Sequence, residues 1–290
     1  MPRPAPKPAD ANAPPEVVSA RWLLKALGIL IFAALICSYI SLGFLYSQGQ
    51  WQIVLHPDPA ARKQTPPTGL IHFGTDESGR PQLTGEWFAA GEGSHYGTLT
   101  ILLLPGGDGS RMNLQETAHT LHDLGFNVFS FDYRGYGLSA PIHPSQQHLV
   151  EDSETVWRYL TTSRGISPGS IIPYGSGVGA SLATRLANDH HEIPAVILDR
   201  PHTDLLDFAK ADPRSGLLPA GMLFHERFPM AETLSALPTP KLLIGESGQT
   251  PKVFSQAATP KMTVELPQPS GPVFADAVRR FVDQYLPQSK

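Results

Sequence analysis

The sequence predicts an α/β domain, a mostly parallel sheet covered by helices, preceded by one N-terminal transmembrane helix. Two observations carry this prediction. From residue 99 onward, short apolar runs alternate with segments of helical apolar spacing, which is typical of a parallel sheet covered on both faces. Before them, residues 26–46 read ALGILIFAALICSYISLGFLY without a single charge, which is long enough for a helix to cross a bilayer.

Composition divides the chain into three regions. Residues 1–22 form a proline-rich tail that cannot bury a core and is expected to be disordered. Residues 23–47 are the predicted transmembrane helix, with Trp22, Tyr46 and Trp51 placed as interfacial aromatics. Residues 48–290 are long enough to form one domain with a full core.

A cleaved signal peptide and a lipoprotein signal are the alternatives for the apolar run. The run is longer than the apolar region of a signal peptide, and no A-x-A site follows it. Cys37 lies in the middle of the run behind Ile36, where a lipidation signal needs a small residue. These observations favour an uncleaved anchor.

The flanking charges predict the orientation of this anchor. Four basic residues precede the apolar run, and none follows it before Arg62: Arg3, Lys7, Arg21 and Lys25. The positive-inside rule then predicts a cytoplasmic N-terminus and a domain on the far side of the membrane. In a bacterium, this is the periplasmic side of the inner membrane.

The domain is predicted to open with a hairpin, because apolar runs at 71–73 and 83–88 flank a turn-forming segment at 77–80. Further strands are predicted at 99–104, 127–131, 170–174, 195–199, 241–245 and 262–266, and helices at 112–124, 150–160, 178–188 and 274–285. Pro173 has no backbone donor, so we expect it near the end of its strand. The segment 212–237 contains several Pro and Gly residues, interrupts the alternation and predicts a small lid.

A nucleophile-elbow pattern without its nucleophile occupies residues 173–180, which read PYGSGVGA. In the G-x-S-x-G pattern, a serine lies between two glycines on a strand-to-helix turn. Here Gly175 and Gly179 hold the outer places and Gly177 holds the serine's place. Ser176 stands one position early, so its side chain is expected to leave the turn in another direction.

Residues 132–139, which read DYRGYGLS, form the most specific motif of the chain. Supporting it are residues 55–59 (LHPDP), the Glu151-Asp152 pair and the elbow pattern, in a consistent order and spacing. From about Trp51 to the C-terminus, the chain resembles the α/β-hydrolase superfamily, in the branch that carries a single N-terminal membrane helix.

This resemblance implies a catalytic triad in the chain order serine, acid, histidine. The implied acid turn reads GESGQT at 245–250, where Glu246 comes too early, and the implied histidine loop reads PQPSGP at 267–272. No histidine follows His225. Gly106, Gly107 and Val178 are left as an oxyanion-like loop that could stabilise negative charge through backbone donors.

We therefore expect a membrane-tethered hydrolase-fold domain that binds a ligand or a partner and does not catalyse a reaction. The rival hypothesis is an active esterase, thioesterase or peptidase that uses Ser176 as a displaced nucleophile, with His202 as the base and Asp199 or Asp204 as the acid. A third hypothesis is a structural subunit of a membrane complex. Gly177→Ser alone is expected to create no substantial activity, because the acid and the base are missing.

Composition limits the partners. The 11 histidines include no H-E-x-x-H arrangement, so we expect no metal, and we expect no cofactor. The net charge of −4 without a basic stripe gives nucleic-acid binding no support. The expected partners are the membrane, through residues 23–47, and a protein or small ligand at the cleft formed by loops 105–111, 132–142, 175–178, 200–204 and 245–250.

Overall fold

A computed structural model describes residues 18–57, 69–107, 110–202, 204–216 and 218–286. The chain divides into two compact units after Tyr46. Residues 1–17 of the predicted disordered tail lie outside the described residues.

The first unit contains a long apolar helix, α1 (Ala20–Gly49), which begins three residues before the predicted boundary at residue 23. Its most apolar stretch has a mean hydropathy of 2.3, and none of that stretch is buried. Within the described residues, α1 is the one helix long and apolar enough to cross a membrane. Its length and composition fit a membrane span or a signal sequence.

The second unit is built on one sheet, which has eight strands in the described part of the chain. The strands are β1 (Ile71–Thr75), β2 (Pro81–Phe88), β3 (Thr100–Leu104), β4 (Asn127–Asp132), β5 (Ile171–Ser176), β6 (Val196–Asp199), β7 (Lys241–Glu246) and β8 (Lys261–Leu266). Their order is β1-β2-β4-β3-β5-β6-β7-β8. Strand β2 pairs antiparallel with β1 and β4, and all the other pairs are parallel. The predicted mostly parallel sheet and opening hairpin are confirmed.

Helices cover both faces of this sheet. The described helices of the second unit are α2 (Trp51–Val54), α3 (Gln115–Asp123), α4 (Gln146–Arg158), α5 (Val178–Asp189), α6 (Leu206–Ala211), α7 (Ala220–Leu223), α8 (Ala231–Ala236), α9 (Val253–Gln256) and α10 (Gly271–Tyr285). A 3₁₀ turn, Arg111–Leu114, leads into α3, and a π-helical turn, Tyr159–Ser163, extends α4.

Alternation along β3 shows how the core is divided. Leu102 and Leu104 pack into the core that α4, α5 and α8 cover, whereas Ile101 and Leu103 pack into the core that α3 and α10 cover. Successive side chains of a strand point to opposite faces, so a fully apolar strand requires helices on both sides.

Pro173 does not lie at a strand end as expected. It is the third residue of β5 and pairs in register with Leu102 of β3. The pairing between β5 and β6 begins only at Tyr174, so Pro173 faces no paired residue of β6. The missing N–H of Pro173 therefore breaks no hydrogen bond on the β6 side.

The segment 212–237 packs on the core. Phe224, Phe228, Met230 and Leu234 are buried in the cluster that includes α4 and α5. None of the described residues of this segment lines the cleft described below. The lid over the cleft therefore stays a prediction.

Candidate active site of a hydrolase fold

A one-residue turn joins β5 to α5. Gly177 adopts φ 55° and ψ −116°, and its N–H donates to the carbonyl oxygen of Asp199 over 3.0 Å. A residue with a side chain pays about 1–3 kcal/mol to hold such a backbone conformation. Glycine adopts positive φ without that cost.

The flanking glycines are required by close approach. A Cβ on Gly175 would lie 2.2 Å from the carbonyl oxygen of Gly179, and one on Gly179 would lie 2.1 Å from that of Leu104. Residues 175 and 179 therefore lie too close to neighbouring backbone atoms to carry a side chain. At Gly177 the situation is the reverse, because a Cβ would meet nothing closer than 3.8 Å, the distance to Cα of Gly106.

His202 lies beside this turn. A Cβ built on Gly177 would be 3.9 Å from both Nε2 and Cδ2 of the His202 imidazole. The ring also makes an edge-to-face contact with Phe208, at 5.2 Å between centroids. His202 comes from the loop after β6, whereas the resemblance implies a histidine after β8.

A cleft of about 870 Å³ opens above the turn, at the carboxyl ends of the parallel strands, where ligands of such sheets bind. Its described lining includes Ile53, Val54, His56, Gly106, Gly107, Met112, Glu116, Ser176, Gly177, Val178, Asp199, Arg200, His202, Phe208, Glu246, Gln249, Gln268, Pro269 and Ser270. The predicted loops around 105–111, 175–178, 200–204 and 245–250 all contribute described residues. Loop 132–142 contributes none. Ile53, Val54 and His56 line the cleft, although the sequence analysis did not place them there.

Ser176 is held by a carboxylate and not by an imidazole. Its hydroxyl donates to Oδ2 of Asp199 over 3.2 Å, and Nε of Arg200 donates to Oδ1 over 3.0 Å. Burial raises the pKa of the fully buried Asp199, although the charge of Arg200 opposes the shift. The bond from Ser176 thus satisfies a buried oxygen that would otherwise be costly to leave unpaired.

Asp204, the other weak candidate, is engaged elsewhere. Its carboxylate accepts hydrogen bonds from Nε of Arg227 at 3.1 and 3.2 Å and from the N–H of Leu206 at 2.9 Å. Partial burial acts to raise the pKa of Asp204, but these hydrogen bonds outweigh it and the pKa is lowered. The structure therefore brings Ser176 and His202 into one cleft but assigns Asp204 to an ion pair.

The acid and histidine turns implied by the resemblance do reach the cleft. Glu246 and Gln249 line it after β7, and Gln268, Pro269 and Ser270 line it after β8. At the histidine turn, the cleft is lined by an amide, a proline ring and a hydroxyl, none of which acts as a general base at neutral pH.

The oxyanion-like loop is fixed by residues near the start of the second unit. The carbonyl of Gly107 accepts hydrogen bonds from the N–H of His56 at 2.6 Å and from the hydroxyl of Tyr136 at 3.0 Å. A Cβ on Gly107 would lie 2.7 Å from Cδ2 of Leu55. Leu55 and His56 of the first motif and Tyr136 of the 132–139 motif thus meet at this loop and hold its shape.

The 132–139 motif is a structural clamp. Asp132 accepts a bond from the N–H of Arg111 at 2.8 Å, which ties β4 to the turn before α3. Arg134 donates to Asp152 through Nε at 2.5 Å and to Glu151 through its terminal nitrogen at 2.8 Å. The clamp explains why the sequence carries the Glu151-Asp152 pair in the middle of α4, 17 and 18 residues after Arg134.

Among the described residues, no group of three His, Cys, Asp or Glu side chains is placed to hold a metal ion.

Sequence comparison finds a matching family model and several similar proteins. The family model for serine aminopeptidases of the S33 type matches residues 98–219. An uncharacterized protein of Mycobacterium tuberculosis is 29% identical over 279 residues, 90% of this chain and 96% of that protein. Human alpha/beta hydrolase domain-containing protein 17C is 36% identical over 118 residues, 41% of this chain and 33% of that protein.

Solved structures show the same fold. An esterase of Pyrococcus furiosus superposes with a TM-score of 0.60 at 19% identity, over 80% of this chain and 98% of that one. A proline iminopeptidase of Mycobacterium smegmatis gives a TM-score of 0.57 at 14% identity, over 75% and 98% of the two chains. The chain has the α/β-hydrolase fold, and part of its sequence is similar to hydrolase families.

Proposed function

We propose that this protein is a membrane-tethered binding protein with the α/β-hydrolase fold, in which the cleft binds a small molecule or a peptide segment without turning it over. The observation that carries the proposal is the residue at the elbow. Gly177 occupies the strained backbone position of a nucleophile and has no side chain to act as one.

The neighbouring hydroxyl does not replace the missing nucleophile. An unassisted serine is a weak nucleophile at pH 7 and needs a base at hydrogen-bond distance. The hydroxyl of Ser176 instead donates a hydrogen bond to Oδ2 of Asp199, whose Oδ1 accepts one from Nε of Arg200. The partner of the Ser176 hydroxyl is therefore a carboxylate and not the imidazole base of a serine hydrolase.

The cleft itself is retained. Its lining mixes apolar side chains, such as Ile53, Met112 and Phe208, with charged groups, such as Glu116 and Arg200. A concave site of this kind holds ligands through apolar contact and a few oriented polar groups. A domain with a preserved cleft and no nucleophile fits binding better than catalysis.

The tether follows from α1. We infer that α1 remains in the mature protein as a single membrane span, because its uncharged core is longer than a signal sequence requires. Because basic residues precede it, the positive-inside rule favours a cytoplasmic N-terminus and a second unit on the far side of the membrane. A reporter fused after Lys290 tests this, since a cytoplasmic signal or loss of residues 1–46 from the mature chain contradicts it.

Turnover assays test the central part of the proposal. The full chain in detergent is offered p-nitrophenyl esters and aminoacyl p-nitroanilides, with Ser176→Ala as the matched variant. We expect both chains to match the rate without protein. Turnover that Ser176→Ala abolishes contradicts the proposal and favours the active hydrolase. If substitutions that weaken binding of a partner lie in α1 alone, the complex-subunit hypothesis is favoured instead.

A further inference from the structure

We propose that the second unit carries a membrane-contacting patch of its own, formed by the exposed faces of α6 and α7, and that a lipid bilayer is its partner. The inference rests on the proposed function in one respect, the retention of α1 as a membrane span. It adds a second contact with the bilayer, made by the hydrolase-fold domain itself.

Exposed apolar side chains mark the patch. Five large apolar side chains of the second unit are exposed in the part of the chain that the structure describes: Met112, Ile142, Phe208, Met222 and Val273. Met222, on α7, is 79% exposed, and Phe208, on α6, is 54% exposed. The two helices pack against each other, so both side chains belong to one surface. Apolar side chains grouped on a surface mark an interaction site, whereas single scattered ones need no explanation.

The point where the chain leaves the apolar run indicates which partner this surface meets. The run ends at Tyr46, and Trp51, the first residue of α2, follows five residues later. At the helical rise of about 1.5 Å per residue, Trp51 lies within roughly 8 Å of the end of the run. A span that ends at Tyr46 therefore leaves α2 in the interfacial layer of the bilayer, where tryptophan is enriched.

Helix α2 is packed into the body of the domain. Gln50, just before it, is buried, and its Oε1 accepts a hydrogen bond from the N–H of His225 at 2.5 Å. The ring of Trp51 lies against the imidazole of His143, at 5.2 Å between centroids. Because these contacts hold α2 to the body of the domain, the domain does not stand away from the membrane on a flexible stalk.

The patch is continuous with α2. Helix α6 packs against α2 as well as against α7, and packed helices lie about one helix diameter, roughly 10 Å, apart. The polar layer on each side of the hydrocarbon core is roughly 5–8 Å thick. A domain held to the bilayer at α2 thus brings α6 and α7 to this layer. Asp207 and Lys210, the exposed charged residues of α6, have opposite signs, so α6 brings no net charge that lipid headgroups would repel.

Phe208 joins the patch to the cleft. Its ring lines the cavity and is also exposed on α6. Ile53 of α2 lines the same cavity. Contact of the patch with lipid therefore places the cleft beside the bilayer surface.

The test places a fluorophore on the patch. Cys37, the single cysteine of the chain, is replaced by Cys37→Ser in the full chain, and Met222→Cys or Phe208→Cys provides the site for a bimane label. Each labelled chain is reconstituted into phosphatidylcholine vesicles that contain a lipid with a nitroxide near the headgroup end of its acyl chain. The matched control is Arg279→Cys, which is 52% exposed on α10, a helix that packs on the opposite face of the sheet from α6.

We expect the nitroxide to quench bimane at positions 208 and 222 about twofold or more beyond position 279, since an interfacial apolar face lies about 5–10 Å into the boundary of headgroups and acyl chains. Quenching at 222 no stronger than at 279 overturns the inference. Met222 is 79% exposed, so Met222→Cys removes little packing and the chain should fold. A bimane emission at 222 that ignores the nitroxide but shifts to the blue as the protein-to-lipid ratio rises indicates a second copy on this face, and also overturns it.

Bimane on the natural Cys37 separates this inference from the proposed tether. Cys37 lies in the middle of the apolar run, so a nitroxide deep in the acyl chain should quench its label in the otherwise unsubstituted chain. Absence of that quenching contradicts the tether. Strong quenching at Cys37 with none at positions 208 and 222 leaves the tether standing and overturns the patch alone.

Discussion

Replacing Arg134 by alanine should destabilise the domain strongly and in a pH-dependent way. The side chain of Asp152 is 3% exposed, and Arg134 neutralises it through a 2.5 Å hydrogen bond. Removing one partner of a buried ion pair leaves an uncompensated charge, which costs about 3–5 kcal/mol at neutral pH. The free energy of unfolding of the full chain in detergent, from urea titration followed by tryptophan fluorescence, measures this cost.

The sign of the pH dependence follows from Asp152. Burial raises its pKa to about 6, although Arg134 opposes the shift, against about 3.9 in an unfolded chain. Between these values the folded chain binds the extra proton, so this group lowers stability as pH rises. Without Arg134 the folded pKa rises further, so the cost of Arg134→Ala should shrink by at least about 1 kcal/mol from pH 8 to pH 5.

The matched control is Arg80→Ala. Arg80 pairs with Asp76 at 3.5 Å, but its side chain is 80% exposed, so the loss should stay below about 1 kcal/mol. If Arg134→Ala costs no more than Arg80→Ala, or costs the same at pH 5 and pH 8, the clamp described for the 132–139 motif is refuted.

Three further predictions concern packing, a buried amine and the surface. Gly179→Ala should destabilise by about 3 kcal/mol or more, since its Cβ would lie 2.1 Å from a carbonyl oxygen, whereas Gly221→Ala meets open space and should be near neutral in the same urea titration. Lys241 is fully buried, and burial lowers its pKa to about 8; stability should therefore rise between pH 8 and about pH 10, where the unfolded amine still binds a proton. Lys241→Met should abolish that rise in a melting series across pH. Arg279→Glu, on an exposed face of α10, should leave the free energy of unfolding nearly unchanged in the same urea titration. A large loss of stability would contradict its exposed position.

The strands could be predicted from the sequence because each one is a buried apolar run. Residues 100–104 and 241–246 are bounded by turn residues, and apolar patterns of this length specify strands with little ambiguity. The prediction that Pro173 lies at a strand end was wrong. A proline costs a backbone hydrogen bond only where a neighbouring strand would accept it, and the residue types do not reveal that the pairing of β5 with β6 starts after Pro173.

The candidate site could be predicted only in part. The three glycines at 175, 177 and 179 have a fixed spacing, and local geometry assigns them distinct roles. The place of His202 beside Gly177 depends on which strand pairs with β5, which is a tertiary property. Likewise, the contribution of Ile53, Val54 and His56 to the cleft depends on packing against Gly107, some fifty residues further along the chain.

The most direct test of the central claim is the intact mass of the unsubstituted full chain after exposure to excess fluorophosphonate probe. Because Gly177 has no side chain and the hydroxyl of Ser176 is bonded to Asp199, we predict an unchanged mass. An active serine hydrolase treated in parallel serves as the positive control for the probe. A stoichiometric adduct on the unsubstituted chain, located at Ser176 by peptide mapping, would contradict the account.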